Sequence, residues 1–311
     1  MVETVRVLVS CETDDKVGRE VLNLIPRVNV VSYDPNESAL TDQQRVAEVL
    51  VAPYRSSHRP IRLLGDLPQL RMIQLLSAGT DEWNRHVPAH ITVASARGAH
   101  AGPVSEWVLS AILAQLRQWP ALVRFQDEGI WAHRKFNADT LNGKRVLIVG
   151  AGSIGMAVAQ RLRVFGARAT LVARNERSGV HAVSELPSLI GGHQIVVITA
   201  PLTPDTDGLV DTRFLAAMDD GALLVNAGRG RIVDTDALVR DLGRGRLRAA
   251  LDVTEPEPLP PDHPLWKQTG LILSPHSART VPGTNELCYQ VAAEQIESFM
   301  SGHVPSNAAT R

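Results

Sequence analysis

Short apolar runs rich in β-branched residues alternate with segments of helical spacing, and the alternation comes in two series. In the first hundred residues, VRVLVS (5–10), VNVVSYD (28–34), EVLVAPY (48–54), LRMIQLLS (70–77) and ITVASA (91–96) read as strands. Segments with helical spacing lie between several of them. GPVSEWVLSAILAQLRQW (102–119) reads as one helix, because Val104, Trp107, Val108, Ala111, Ile112 and Leu116 fall mostly on one face. The second series is more regular. Strands are expected at 144–150, 167–173, 193–200, 221–227, 247–253 and 271–274, and helices at 153–165, 184–191, 212–218 and 235–245. The proline-rich EPEPLPPDHP (255–264) can be neither helix nor central strand, so it is a loop at the carboxyl end of the strand ending at Val253. A last helix, 284–301, carries Leu287, Val291, Ile296, Phe299 and Met300.

Strand–helix alternation of this kind predicts parallel α/β sheets. The length of 311 residues points to about two domains. The last helix has no strand after it and is free to pack back on the first unit. Neither a solenoid period nor a low-complexity tract occurs. An apolar content of 44% against 21% charged residues is that of a globular protein with a sizeable core. A net charge of −1 with both signs scattered offers no basic stripe for nucleic acid. Cys11 and Cys288 lie in opposite terminal segments, which is neither a disulfide framework nor metal-site spacing. The start, MVETVRVLVS, is not a signal peptide, and no apolar run nears the roughly 18 residues of a membrane span. A soluble, cytoplasmic protein without metal is expected.

VLIVGAGSIG places Gly150, Gly152 and Gly155 in the order G-x-G-x-x-G. The motif follows an apolar strand and opens an amphipathic helix with Ile154, Ala157, Val158, Leu162 and Phe165, which is the context a dinucleotide site requires. Gly150 permits the tight turn, Gly152 lets backbone approach a pyrophosphate, and Gly155 lets helix and strand pack closely. The phosphates would meet free amides near Ser153 and Ile154 at the positive end of the helix dipole.

In open α/β sheets, ligands bind beyond the carboxyl ends of the strands. After LLVNA comes Arg229, between Gly228 and Gly230. After ALDV come Glu255 and Glu257, and after LILS comes His276 behind Pro275. Arginine grips a carboxylate with a fork of N–H donors. Histidine exchanges a proton near neutral pH, and a carboxylate beside it orients the ring and favours its charged form. With a nicotinamide nearby, the set describes reversible reduction of a 2-oxo acid.

VLIVGAGSIG, PLTPDTDGLV, LLVNAGRGRIVD, AALDVTEPEPLP and LILSPHSA, in this order, resemble the D-isomer-specific 2-hydroxyacid dehydrogenases, in particular the glyoxylate/hydroxypyruvate reductase-like branch. LLSAGTDEW (75–83) fits as well. The resemblance covers nearly the whole chain. It implies an α/β protein of two Rossmann-like or flavodoxin-like parallel-sheet domains with the active site in the cleft between them. The substrate domain is then 1–99 with a returning helix in 283–311, and the NAD(P)-binding domain is 100–282. A homodimer forms through the helical region after residue 100. By the same resemblance Arg229 is the substrate arginine, Glu257 the partner of the histidine, and His276 the acid/base. Glu257 is preferred to Glu255 on the family's spacing from Asp252. Backbone amides of Ser77, Ala78, Gly79 and Thr80 hold the substrate carboxylate. Asp252 bonds the nicotinamide carboxamide, and Pro201 and Thr206 wall the cofactor. The family often has two small residues soon after the histidine. Here the run is Ser277-Ala278-Arg279, which puts Arg279 within reach of substrate or cofactor.

An NAD site usually has an acid at the end of the second strand, bonding the ribose. Here that strand ends at Ala173 and is followed by Arg174, Asn175, Glu176 and Arg177. Arg174 suits a 2′-phosphate, which favours NADP(H); NAD(H), with Glu176 on the ribose, is the alternative. The partner is a small 2-oxo or 2-hydroxy acid. Two other readings share the fold: a catalytically silent NAD(P)-sensing binding protein, and a dehydrogenase of formate or phosphite type. Trp107 and Trp119 read as packing residues, Trp131 and Trp266 as loop residues, His100 as solvent-exposed, and Cys288 as a small buried apolar residue.

Overall fold

The computed structural model describes residues 4–133 and 135–309. The chain divides into two compact units, one within residues 1–100 and 281–311, the other within 101–280. The first is built on β1 (Val5–Ser10), α1 (Lys16–Leu22), β2 (Val28–Tyr33), α2 (Asp42–Arg45), β3 (Val49–Val51), β4 (Met72–Gln74), α3 (Asp81–Asn84) and β5 (Thr92–Ala94). Its five strands are all parallel, in the order β2-β1-β3-β4-β5.

The second unit opens with α4 (Ala101–Leu116) and α5 (Trp119–Asp127). It continues through β6 (Arg145–Val149), α6 (Ser153–Val164), β7 (Arg168–Ala173), β8 (His181–Ala182), α7 (Leu186–Leu189), β9 (Ile195–Ile198), α8 (Thr212–Ala217), β10 (Leu223–Asn226), α9 (Thr235–Gly243), β11 (Arg248–Leu251) and β12 (Leu271–Leu273). Its seven strands are parallel, in the order β12-β11-β10-β9-β6-β7-β8. The chain then returns to the first unit as α10 (Thr284–Met300).

Both sheets are covered on both faces, which is why their strands read as continuous apolar runs. Val7 and Val9 of β1 face one cluster with Cys288, Tyr289, Ala292 and Ile296 of α10, while Leu8 between them faces Trp83 and Leu63. In the second unit Leu147 and Val149 pack with Phe214 and Leu238, and Val146 and Ile148 with Val108, Ile112 and Leu162. α10 is drawn tightly onto α1. A Cβ on Gly18 would lie 2.1 Å from the Tyr289 ring. The Tyr289 hydroxyl donates to Asp15 at 2.8 Å.

The strand readings overshoot at the carboxyl ends. β3 stops at Val51 and β4 at Gln74, because the apolar residues that follow (Ala52, Tyr54, Leu75, Leu76) are buried loop residues. The helix expected over 102–119 ends at Leu116. Gln118 adopts φ +55, and α5 restarts with Pro120 in its first turn, where the missing N–H costs nothing. Neither α5 nor the two-residue β8 was anticipated by the hydrophobic pattern. His100 is a correction: it is buried, with Nε2 2.9 Å from the Cys288 sulfur, because Cys288 on α10 faces the same core. Trp119 is another: it is 56% exposed, since α5 lies on the surface, whereas Trp107 packs against the core.

Candidate active site

Because the strands of the second unit are parallel, the loops after β6, β7, β9, β10, β11 and β12 emerge at one edge. The glycine loop follows β6. Gly150 has φ +112, and a Cβ there would lie 2.4 Å from the Ala200 amide nitrogen. A Cβ on Gly155 would lie 2.0 Å from the Gly150 carbonyl oxygen. Packing within the protein thus demands these two glycines. Gly152 differs: a Cβ there would meet nothing within 4 Å. Gly152 is the N-cap of α6 and brings no side chain to bond the first amides of the helix, which have no partner within it. A cradle lined by free amides, open at the one glycine that packing does not require, fits a dinucleotide pyrophosphate. Thr199 Oγ1 donates to the Gly150 carbonyl at 2.8 Å and fixes the turn.

The loops after β10, β11 and β12 carry the arginine, the glutamate and the histidine. Arg229 is half-buried between two glycines that packing requires. A Cβ on Gly228 would lie 2.8 Å from the Ala200 carbonyl oxygen, and one on Gly230 would lie 1.9 Å from that of Thr254. Asn226, fully buried at the end of β10, donates from Nδ2 to the Arg229 carbonyl (2.9 Å) and accepts the Gly228 amide (3.0 Å). His276 Nδ1 and Glu257 Oε1 are 2.7 Å apart. His276 has φ +52, unusual for a residue with a side chain. Its amide donates to the Asp252 carbonyl at 2.7 Å. The buried Asp252 carboxylate accepts from Ser274 Oγ (2.6 Å), the Ser277 amide (2.8 Å) and the Ala278 amide (3.1 Å). Burial pushes the Glu257 carboxyl up, but the hydrogen bond and charge of His276, a backbone contact with Thr254 and the charge of Arg229 outweigh it. The carboxyl therefore ends below its usual range.

Arg174, just past β7, lies 3.6 Å from Asp205 in the loop after β9. Arg177 donates to the Ala151 carbonyl in the glycine loop. Thr206 Oγ1 donates to the Pro201 carbonyl (2.7 Å) and accepts the Thr203 amide (2.8 Å), so Pro201 and Thr206 belong to one stapled turn. In the first unit, Ser77, Ala78, Gly79 and Thr80 form a half-buried loop beyond β4. Ser77 Oγ donates to the Gly79 carbonyl at 2.7 Å, and Asn84 Nδ2 to Thr80 Oγ1 at 3.1 Å.

Known proteins resemble this arrangement. The family described as D-isomer specific 2-hydroxyacid dehydrogenase, NAD binding domain, matches residues 109–278. The chain belongs to the D-isomer-specific 2-hydroxyacid dehydrogenase family. It is 33% identical over 264 residues to a glyoxylate reductase of Aeropyrum pernix, covering 80% of this chain and 79% of that one. It is 31% identical over 293 residues to a glyoxylate/hydroxypyruvate reductase of Arabidopsis thaliana, covering 91% and 90%. A D-isomer specific 2-hydroxyacid dehydrogenase of Xanthobacter autotrophicus Py2, solved with NADPH and MES, superposes with a TM-score of 0.84 at 26% identity, covering 99% of this chain and 98% of the other. The dehydrogenase described here is therefore an oxidoreductase acting on the CH–OH group of 2-hydroxy acids with a nicotinamide cofactor, in the glyoxylate/hydroxypyruvate reductase branch.

Sequence reasoning missed the residues that hold the loops: Asn226, Ser274, Thr199 and Asp205. A polar residue closing an apolar run, as in LLVN and LILS, was the available signal for Asn226 and Ser274. No sequence signal pairs Asp205 with Arg174, which lie on loops from strands separated by β6.

Proposed function

We propose that this dehydrogenase runs as an NADPH-dependent reductase of a small 2-oxo acid of the glyoxylate or hydroxypyruvate kind. The observation that carries the reading is the 2.7 Å His276–Glu257 pair at the sheet edge that also bears Arg229 and the glycine loop. Arg229 binds the substrate carboxylate through its fork and polarises the neighbouring carbonyl. A reduced nicotinamide held there would supply the hydride that the carbonyl carbon accepts. His276 delivers a proton from Nε2 to the carbonyl oxygen, which leaves as the hydroxyl of the 2-hydroxy acid. Glu257 holds Nδ1 so that Nε2 faces the substrate. The amides of Ser153 and Ile154, with Gly150, Gly152 and Gly155, hold the pyrophosphate. Pro201 and Thr206 wall the cofactor, Asp252 lies at the carboxamide end, and Arg174 takes the 2′-phosphate.

Trp119, Val123, Ile130 and Trp131 leave an exposed apolar surface along α5 and the turn after it, with Trp131 89% exposed. A second copy of the chain covers it in the homodimer we propose. Cys11 and Cys288, neither of them in a disulfide, suit a reducing cytoplasm.

The test is NADPH and NADH oxidation at 340 nm with a panel of 2-oxo acids. His276→Ala should lower kcat by at least about 100-fold while cofactor affinity persists. A variant that keeps more than about half its turnover overturns the role given to His276. An unmodified enzyme that prefers NADH overturns the cofactor assignment.

A further inference from the structure

The glycine loop after β6 has the loops after β9 and β7 as its neighbours, because the sheet runs β9-β6-β7. Arg174 and Asp205 stand on those two neighbouring loops and meet at 3.6 Å. The ion pair therefore spans the carboxyl end of β6, above the cradle at the start of α6. The turn that bears Asp205 is fixed from within by Thr206, which bonds Pro201 and Thr203. The backbone that bears Asp205 is thus held in place whether or not Arg174 is bonded to its side chain. Arg177 is turned toward the Ala151 carbonyl, so Asp205 faces Arg174 in particular.

We infer that Asp205 is a specificity-determining residue that restrains the preference for a 2′-phosphorylated dinucleotide by competing for Arg174. The inference rests on the NADPH reading above. A phosphate monoester carries a charge of about −1.5 to −2 at neutral pH. At Arg174 it competes with the Asp205 carboxylate for the guanidinium charge and lies within a screening length of it, about 8 Å at physiological salt. A ribose 2′-hydroxyl carries no charge and meets neither obstacle. Both side chains are largely exposed, 68% for Arg174 and 79% for Asp205, so the effect is modest and salt-sensitive.

The experiment measures equilibrium dissociation constants of the full-length enzyme for NADPH, NADH, 2′,5′-ADP and 5′-AMP, at low and at high salt. Asp205→Asn should bind NADPH and 2′,5′-ADP about three- to fivefold more tightly, the upper figure being about 1 kcal/mol at 1.4 kcal/mol per tenfold change. NADH and 5′-AMP should change by less than about twofold, and the gain should shrink at high salt. Asp205→Ser should reproduce the result, which separates loss of charge from any effect of the amide. Unchanged or weaker NADPH binding, or an equal gain for both dinucleotides, overturns the inference. Arg174→Ala separates this failure from that of the underlying reading. If it leaves NADPH affinity intact, the NADPH assignment fails. If it weakens NADPH while Asp205→Asn does nothing, only the role of Asp205 fails.

Discussion

Gly230→Ala should damage catalysis through the backbone alone. Gly230 is not in the left-handed region, so alanine brings no conformational strain there. The obstacle is space. The added Cβ would lie 1.9 Å from the Thr254 carbonyl oxygen, 2.1 Å from its carbon and 2.7 Å from the Glu255 nitrogen. Ordinary contact begins at 3.4 Å, so the two backbone segments must part by about 1.5 Å. One segment bears Arg229, and the other leads within two residues to Glu257, the partner of His276. The separation thus falls between the group proposed to grip the carboxylate and the pair proposed to handle the proton. A misplacement of about 1 Å costs on the order of 100-fold, and overpacking costs about 1–3 kcal/mol. Steady-state kinetics with glyoxylate and NADPH should show kcat/KM down by about 100-fold, with a lower Tm. NADPH affinity should be nearly unchanged, since the glycine loop follows a different strand. A variant with kcat/KM within about threefold of the parent would mean that the Arg229 and Thr254 segments do not need their close approach.

Arg229→Lys keeps the charge but loses the fork, so KM for the oxo acid should rise and kcat fall; unchanged kinetics puts Arg229 outside the substrate site. Gly152→Ala adds a Cβ that meets no protein atom within 4 Å, so the Tm of the free protein should hold while NADPH binding weakens at least about tenfold. A lower Tm with intact binding would reverse that reading. Asp15 is buried, and burial raises its carboxyl above the usual range despite hydrogen bonds from Tyr289 and the Tyr54 amide. A raised acid contributes stability below its unfolded value of 3.8 and loses it as pH rises through its folded value, so the ionised form burdens the fold at neutrality. Asp15→Asn should therefore have a higher Tm than the parent at pH 7, with the gap narrowing as pH falls toward 4; a lower Tm at pH 7 contradicts this.

The parallel α/β class was legible because β-branched runs and helical spacings alternate, and because the strands buried on both faces are mostly apolar. The family was legible because five motifs sit in order at strand ends. Other features depended on information that hydrophobic period does not hold. The expected helix ran on to 119, past the true end at Leu116, because the break at Gln118 is a left-handed backbone conformation at a residue with no turn signature, and α5 begins only beyond that break. His100 read as exposed because its partner, Cys288, is distant in sequence and reaches it only when α10 lies in the first unit's core. The Arg174–Asp205 pair was invisible for a similar reason: the strand order β9-β6-β7, not the sequence order, makes those loops neighbours.

The same topology explains how the pair proposed to react could exchange a proton without loosening the site. His276 and Glu257 are about 40% exposed, with 40% and 42% of their side chains open to solvent. A pair that exposed contributes about 0–1 kcal/mol to stability. It cannot by itself hold a histidine in the left-handed region, where a side chain costs about 1–3 kcal/mol. The buried groups beneath it do so. Asn226 donates to the Arg229 carbonyl, the Asp252 amide donates to the Asn226 carbonyl (3.0 Å), and the His276 amide donates to the Asp252 carbonyl (2.7 Å). These bonds join the loops after β10, β11 and β12 through main chain and one buried amide side chain. The Asp252 carboxylate adds three donors from the histidine loop, and hydrogen bonds to a buried charge are the strong kind, about 1.5–3 kcal/mol each. Positioning therefore rests on Asn226 and Asp252, which need not change charge during turnover. The proposed proton handling rests on His276 and Glu257, whose own bond contributes little to the fold. In the proposed reaction, separating the two tasks lets His276 gain and lose a proton in each cycle while its backbone stays in place.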